Sequence, residues 1–155
     1  MSEIFTIVIK NVAVTAAQDV LCAYVASTKK LQLLAVELAA NGQTTVGNYP
    51  MQIKYLAASV TPGTGGSAVT PKNINPDGAS PSFTARGNDF TQATGTLTDW
   101  VATQFNPLQP YYWEPPKGVA TGDEPKAELS GAISLSLDAV TGTLNISATM
   151  WLREI

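Results

Sequence analysis

An alternation of apolar and polar side chains with a period of two runs along the last quarter of the chain, and it restricts the fold more than any other feature. The apolar positions are Leu129, Gly131, Ile133, Leu135, Leu137, Leu144, Ile146, Ala148, Met150 and Leu152. A period of two is typical of β-strands that bury one face. Because only the short connection 139–142, which ends in Gly142, separates the two runs, we predict that they pair as an antiparallel hairpin.

Three further segments have the composition of strands. Residues 5–10 alternate, while 51–60 and 94–105 are rich in β-branched and aromatic residues and end at turn clusters. Residues 13–40 leave two interpretations open, since their Ala, Leu, Gln, Glu and Lys content suits a helix. We favour two strands joined by 27–30, because valines and a tyrosine are spread through the region.

Two turn-rich segments interrupt these strands. Residues 61–82 contain four prolines and residues 106–127 contain five. Proline lacks a backbone donor, so neither segment can form a central strand. Together with five to eight strands, these segments predict one all-β domain over 1–155, an antiparallel β-sandwich with two long loops.

The composition argues against several functional classes. The 155 residues include no histidine, which removes the commonest side chain for acid–base catalysis and for zinc binding, so we expect no enzyme and no cofactor. Nine Lys and Arg residues in a chain of net charge −3 form no basic face for nucleic acid. No stretch approaches the roughly 20 apolar residues of a membrane span, and we expect synthesis in a cytoplasm. The single cysteine, Cys22, lies in an apolar run and predicts a core residue.

Other motifs are weak. GTGGS, at 63–67, lacks the Lys-Ser/Thr of a phosphate-binding loop and predicts a flexible turn. We considered calcium ligands and a glycosidase-like pair of carboxylates, Glu114 with Asp123 or Glu124, and we expect neither a metal nor a catalytic role. The candidate calcium ligands are Asp77, Asp89, Asp99, Asp123 and Glu124.

The aromatic triplet Tyr111, Tyr112 and Trp113 has more functional content. It lies beside Pro110, Pro115 and Pro116, and rigid aromatic area of this kind is enriched at protein interfaces. The alternative is that one or two rings cover an open end of the core. The sequence leaves both interpretations open, and the three residues are our candidates for a protein interface.

Four stretches resemble small head proteins of tailed bacteriophages. GGSAVTPKNINPDGASPSFTARGN, followed by TQATGTLT, is similar to a segment in which a Gly-rich turn leads through Thr-Pro and Pro-Asp-Gly steps into a strand. VAVTAAQDVLCAYVASTKKLQLLAVELA resembles the opening of that group, and GTLNISATMWLREI resembles its closing strand.

The resemblance implies a jelly-roll sandwich that decorates or cements a capsid. It implies a non-enzymatic virion protein on the capsid surface, made in the host cytoplasm, with the major capsid protein and further copies of itself as partners. Proline-containing loops would lie across neighbouring subunits with a small entropy loss on ordering. The alternative function is a carbohydrate- or receptor-binding virion module that stacks Tyr111, Tyr112 and Trp113 on sugar rings.

Overall fold

The computed structural model describes residues 3–43, 47–116 and 124–155, without the side chain of residue 58. These residues form twelve strands and no helix. The strands are β1 (Ile4–Val14), β2 (Gln18–Tyr24), β3 (Leu31–Asn41), β4 (Tyr49–Thr61), β5 (Ser67–Val69), β6 (Lys72–Asn73), β7 (Thr84–Asp89), β8 (Thr94–Phe105), β9 (Tyr111–Trp113), β10 (Lys126–Ala127), β11 (Ala132–Leu137) and β12 (Leu144–Glu154).

Two antiparallel sheets pack face to face as a β-sandwich, as the sequence predicts. Sheet A has the order β10-β3-β12-β1-β6, with β9 also pairing on β3 beside β10. Sheet B has the order β5-β7-β2-β11-β4-β8. The core between them contains the alternating apolar residues of β12 and the large side chains of Phe5, Leu21, Ile53 and Phe105.

The strand pairing follows the winding of a jelly roll. β1 pairs with β12, β2 with β11, β3 with β9 and β4 with β8, all antiparallel. Each pair is nested inside the previous one in sequence, so the chain forms a long ribbon that folds over to make both sheets. Strands β5 to β7 are an insertion between β4 and β8, and β7 extends sheet B beside β2.

The predicted C-terminal hairpin is wrong. Both segments are strands, but β11 lies between β2 and β4 in sheet B, and β12 lies between β1 and β3 in sheet A. The connection 138–143 therefore crosses from one sheet to the other. A short glycine-containing connection can join two strands of one hairpin or two strands of different sheets. In both arrangements the apolar side chains of each strand face the same core, so the alternation does not distinguish them.

Residues 13–40 are strands rather than a helix, as we favoured: 13 and 14 end β1, and β2 and β3 follow with 25–30 between them. The two proline-rich segments carry short strands of two or three residues, β5 and β6 in the first and β9 and β10 in the second. Part of the second segment, 117–123, falls outside the described residues. The sequence thus predicts the long strands but not these short ones, whose pairing depends on distant partners.

The first proline-rich segment is held by its own domain rather than extended as a free arm. The Glu154 carboxylate at the end of β12 accepts hydrogen bonds from both the amide and the hydroxyl of Ser82, each at 2.6 Å. Asn73 donates to Glu3 at 2.8 Å, and the Phe83 ring packs edge-on against Phe5. Ordering by contact with another subunit, which we expected, is therefore not needed for this segment.

Candidate functional site

The aromatic triplet forms an edge strand of sheet A. Tyr111, Tyr112 and Trp113 make up β9, which pairs with Leu38, Glu37 and Val36 of β3 in that order. Alternate residues of a strand point to opposite faces, so Tyr111 and Trp113 share one face and Tyr112 takes the other. Proline at positions 110, 115 and 116 on either side limits how far this strand can extend.

The three rings of the triplet have different surroundings, and two of them cover the core, as the second interpretation of the sequence has it. Tyr111 and Trp113 are partly buried and pack against the core. The Tyr112 ring is 56% exposed on the outer face, and its hydroxyl donates to Glu114 at 3.4 Å. The two inner rings thus fix the backbone that presents the outer ring.

The outer face of sheet A continues from Tyr112 across the sheet. Directly opposed residues place Tyr112, Glu37, Thr149 and Val8 in one row that crosses β9, β3, β12 and β1. A shallow groove of about 280 Å³ lies along this row. It is lined by residues 8–10 of β1, by Glu37 and Ala39 of β3, and by residues 147–149 of β12.

The outer face of sheet B, in contrast, buries charged side chains. A bulge at Val20 turns that side chain into the core and places Asp19 on the outer face beside β11. The Asp19 carboxylate accepts hydrogen bonds from the Ser134 hydroxyl and the Ala93 amide, both at 2.8 Å, and the Lys54 ammonium lies 3.7 Å away. Burial raises the pKa of Asp19, against the lowering effect of these donors.

A crossover covers this polar cluster. β7 and β8 lie on opposite sides of β2, β11 and β4, so residues 90–93 must cross the sheet to join them. Thr91 and Thr64 exchange two backbone hydrogen bonds of 3.0 Å, which ties the crossover to 61–66. We call these two segments, 61–66 and 90–93, the strap.

The glycines of GTGGS belong to the strap. The Gly63 amide donates to the Tyr24 hydroxyl at 3.0 Å, and the Gly66 amide donates to Asp89 at 2.9 Å. A Cβ at Gly66 would lie 2.1 Å from the carbonyl oxygen of Gly87, which leaves no room for a side chain. The motif is therefore a closely packed turn, in which glycine leaves room for close backbone contacts rather than providing flexibility.

The carboxylates considered for calcium do not form a group. Asp89 is buried and binds the Arg86 guanidinium at 2.8 and 2.9 Å, whereas Asp77 and Asp99 are exposed on separate elements. Glu124 contacts Gln32 and Arg153, and Asp123 lies outside the described residues. Among the residues that the structure describes, no three acidic or cysteine side chains are grouped as metal ligands would be.

The surroundings of Glu114 and Cys22 favour a structural role for both residues. Glu114 lies beside β9 and accepts a hydrogen bond from the Tyr112 hydroxyl. Glu124, which we considered as its partner in a pair of carboxylates, contacts side chains of β3 and β12. Cys22 is fully buried against Leu56, Ala93 and Ala132. Burial first, and then the nearby Asp19 carboxylate, raise the pKa of the Cys22 thiol to about 12, so the reactive thiolate is disfavoured.

Three buried charged residues, Asp19, Lys54 and Glu154, were not predicted from the sequence. Each is at least 95% buried, although each is a charged residue inside a strand. Their signal in the sequence is a charge at a position where the flanking residues are apolar, as in QDVLCAY and MQIKYL. Whether such a charge faces solvent or a covering segment depends on the tertiary fold.

Comparison with known proteins identifies no relative of this chain. The described part of the chain also contains no helix long and apolar enough to cross a membrane. No protein-family model, no curated protein and no solved structure matches this sequence.

Proposed function

We propose that this chain is a non-enzymatic structural protein of a tailed-bacteriophage virion. It decorates or stabilises the capsid surface by binding the major capsid protein and neighbouring copies of itself, and it is made in the host cytoplasm. Support comes from the resemblance of four segments to phage head proteins and from a jelly-roll winding, an architecture used by viral capsid proteins. The fold alone does not imply this function, and a surface feature of sheet A supports it.

The observation that carries the proposal is the exposed Tyr112 ring on an anchored edge strand. Tyr111 and Trp113 hold β9 against the core, and β9 pairs with β3 through three residues. A ring fixed in this way loses little conformational entropy on docking. Exposed aromatic rings of this kind are typical of the few residues that dominate binding energy at protein interfaces.

The charge of the chain favours an apolar contact as the main source of binding free energy. The chain has nine basic residues and net charge −3, and several of the basic side chains are already paired within the domain. Attachment repeated over many copies needs only modest affinity at each contact. We therefore expect capsid binding to survive moderate salt, because exposed ion pairs are what salt screens.

Co-sedimentation with empty capsids tests this proposal. The capsids are assembled from the major capsid protein encoded in the same genome. Tyr112→Ala is expected to weaken binding by about 2 kcal/mol, or roughly 30-fold, as at an interface hot spot. Phe90→Ala is the matched control, since Phe90 is an aromatic residue of similar exposure, 53%, on the strap of sheet B. A wild-type chain that fails to sediment with capsids contradicts the proposal.

A carbohydrate-binding virion module is the second candidate. One observation favours it: Tyr112 lies in line with a groove that offers the Glu37 carboxylate and the Ser147 and Thr149 hydroxyls. An aromatic face beside polar groups can hold a sugar ring by stacking and hydrogen bonding. Binding to a glycan array that Tyr112→Ala abolishes, without capsid binding, would favour this candidate over the first.

A further inference from the structure

The edges of the two sheets differ greatly in length. Within the described residues, the edge strands β5, β6, β9 and β10 have only two or three residues each, whereas β8 has twelve. Short edge strands are one way in which proteins prevent edge-to-edge pairing. β8 lacks this protection.

The outer edge of β8 is open over most of its length. In the part of the chain that the structure describes, β8 pairs only with β4, and no other backbone hydrogen bond reaches it. Its sequence, TGTLTDWVATQF, contains neither lysine nor proline, the residues that commonly block an exposed edge. A register shift opposite Lys54 interrupts the strand near Trp100, and residues 94–99 before it are all exposed.

The exposed stretch contains a large apolar side chain at its centre. Leu97 is 52% exposed, and threonine lies on each side of it at 96 and 98. Directly opposed residues of an antiparallel pair point to the same face, so two identical strands related by a twofold axis must be centred on a residue that faces its own copy.

Leu97 is a favourable centre. It places Leu97 against Leu97, Thr96 against Thr98, and Asp99 against Gly95. Cross-strand apolar and threonine pairs stabilise a sheet, whereas a centre at Asp99 would oppose two like charges. Centres beyond Trp100 would require pairing through the irregularity and towards Phe105, which is fully buried.

We propose that β8 of one copy pairs antiparallel with β8 of a second copy about a twofold axis at Leu97. The two copies of sheet B then form one continuous sheet. This inference rests on the part of the proposed function in which copies contact one another, but it does not require a capsid. Backbone hydrogen bonds supply the contact, and the opposed Leu97 side chains select the register.

Disulfide cross-linking in solution tests the register. At the proposed axis the two copies of residue 97 have Cα atoms about 4.5–5.5 Å apart, within the range that a disulfide spans. Leu97→Cys is the test variant, and Ala102→Cys is the matched control on the same strand. Both positions are exposed, but the two copies of residue 102 would be about 34 Å apart. The natural Cys22 is fully buried and does not compete.

We expect Leu97→Cys to form a disulfide-linked dimer under mild oxidation at least roughly tenfold faster than Ala102→Cys, because pairing raises the effective thiol concentration. Equal rates for the two variants would indicate random collision and overturn the proposal. Sedimentation equilibrium supplies a second measurement: the wild type is expected to dimerise with increasing concentration. Leu97→Lys is expected to stay monomeric with an unchanged melting temperature, and a Leu97→Lys dimer as stable as the wild type would overturn the proposal.

The outcomes separate this inference from the proposed function. Normal capsid binding without preferential cross-linking at residue 97 overturns the β8 pairing and leaves capsid decoration standing. Preferential cross-linking without capsid binding supports the pairing and overturns capsid decoration.

Discussion

The outer faces of the two sheets differ in how far other segments of the chain cover them. The strap covers the part of the outer face of sheet B around Asp19, where the charged groups are paired and hydrogen-bonded. The outer face of sheet A lies open as a shallow groove with the exposed Tyr112 at one side. Because both sheets bury similar apolar residues between them, the core does not explain the difference. The strap does, since its two segments lie over sheet B, whereas the Tyr112 and Val8 side chains on the outer face of sheet A are exposed.

The largest expected effect comes from breaking the buried cluster of sheet B. Asp19→Ala leaves the Lys54 ammonium, which is 5% exposed, without its buried counter-charge, and leaves the Ser134 hydroxyl and the Ala93 amide without their acceptor. We expect a loss of about 3–5 kcal/mol in the free energy of unfolding, measured by urea denaturation. The exposed Asp99→Ala is the control and is expected to change stability by less than about 0.5 kcal/mol. A loss of unfolding free energy in Asp19→Ala as small as that in Asp99→Ala would show that the buried cluster does not stabilise the fold.

The strap itself is tested by adding one methyl group. Gly66→Ala places a Cβ against the Gly87 carbonyl, and since both groups are backbone the strap must move. We expect a destabilisation of about 2–3 kcal/mol in thermal or urea unfolding. Gly42→Ala has no atom within 4 Å of its Cβ but has a φ of 68°, so it carries only the left-handed penalty of about 1 kcal/mol. A Gly66→Ala loss no greater than that of Gly42→Ala would mean that the strap is loosely packed.

The link between the first proline-rich segment and sheet A has a pH signature. Burial alone would raise the pKa of Glu154, but the Ser82 hydrogen bonds and the Lys29 ammonium, 3.0 Å away, together lower the pKa of this carboxyl below its ordinary 4.5. A lowered pKa means that the carboxylate stabilises the fold at neutral pH, and that this contribution is lost as the pH falls below about 4.5 through the folded pKa.

Glu154→Gln is therefore expected to cost about 1–2 kcal/mol at pH 7. The difference from the wild type should shrink as the pH falls below about 4.5. Urea unfolding at a series of pH values measures this dependence. A constant difference from pH 7 to pH 3 would show that the Glu154 charge does not contribute.

The smallest expected effect on stability concerns the open face. Tyr112→Ala removes an exposed ring and is expected to change the free energy of unfolding by less than about 0.5 kcal/mol. Trp113→Ala, one residue further along the same strand, removes a ring that packs against the core and is expected to cost about 1–3 kcal/mol. Thermal melts of the two variants compare them directly. Equal melting temperatures would contradict the division of the triplet into anchors and an exposed ring.

Local pattern was sufficient to predict most of the long strands and the fold class. A period of two is set by the backbone of a strand, and proline excludes a segment from a central strand wherever it lies, so both signals are independent of the rest of the chain. In residues 13–40 the valines and the tyrosine favoured strands, although the Ala, Leu, Gln, Glu and Lys content of the region suits a helix. The exposed face of Tyr112 follows from alternation too, but only once β9 is known to be a strand.

The partners of each strand were decided by the tertiary structure. The alternation of β11 and β12 is compatible with a hairpin and with a crossing between sheets, because both arrangements bury the same side chains. Ser134 and Asp19 carry the polarity of an exposed face, and they are buried because the crossover passes above them. The sequence by itself determined which residues are extended and which faces are apolar, since those depend on neighbours one or two positions away. Pairing, covering segments and open edges depend on residues far apart in the chain, and only the packed sandwich brings those together.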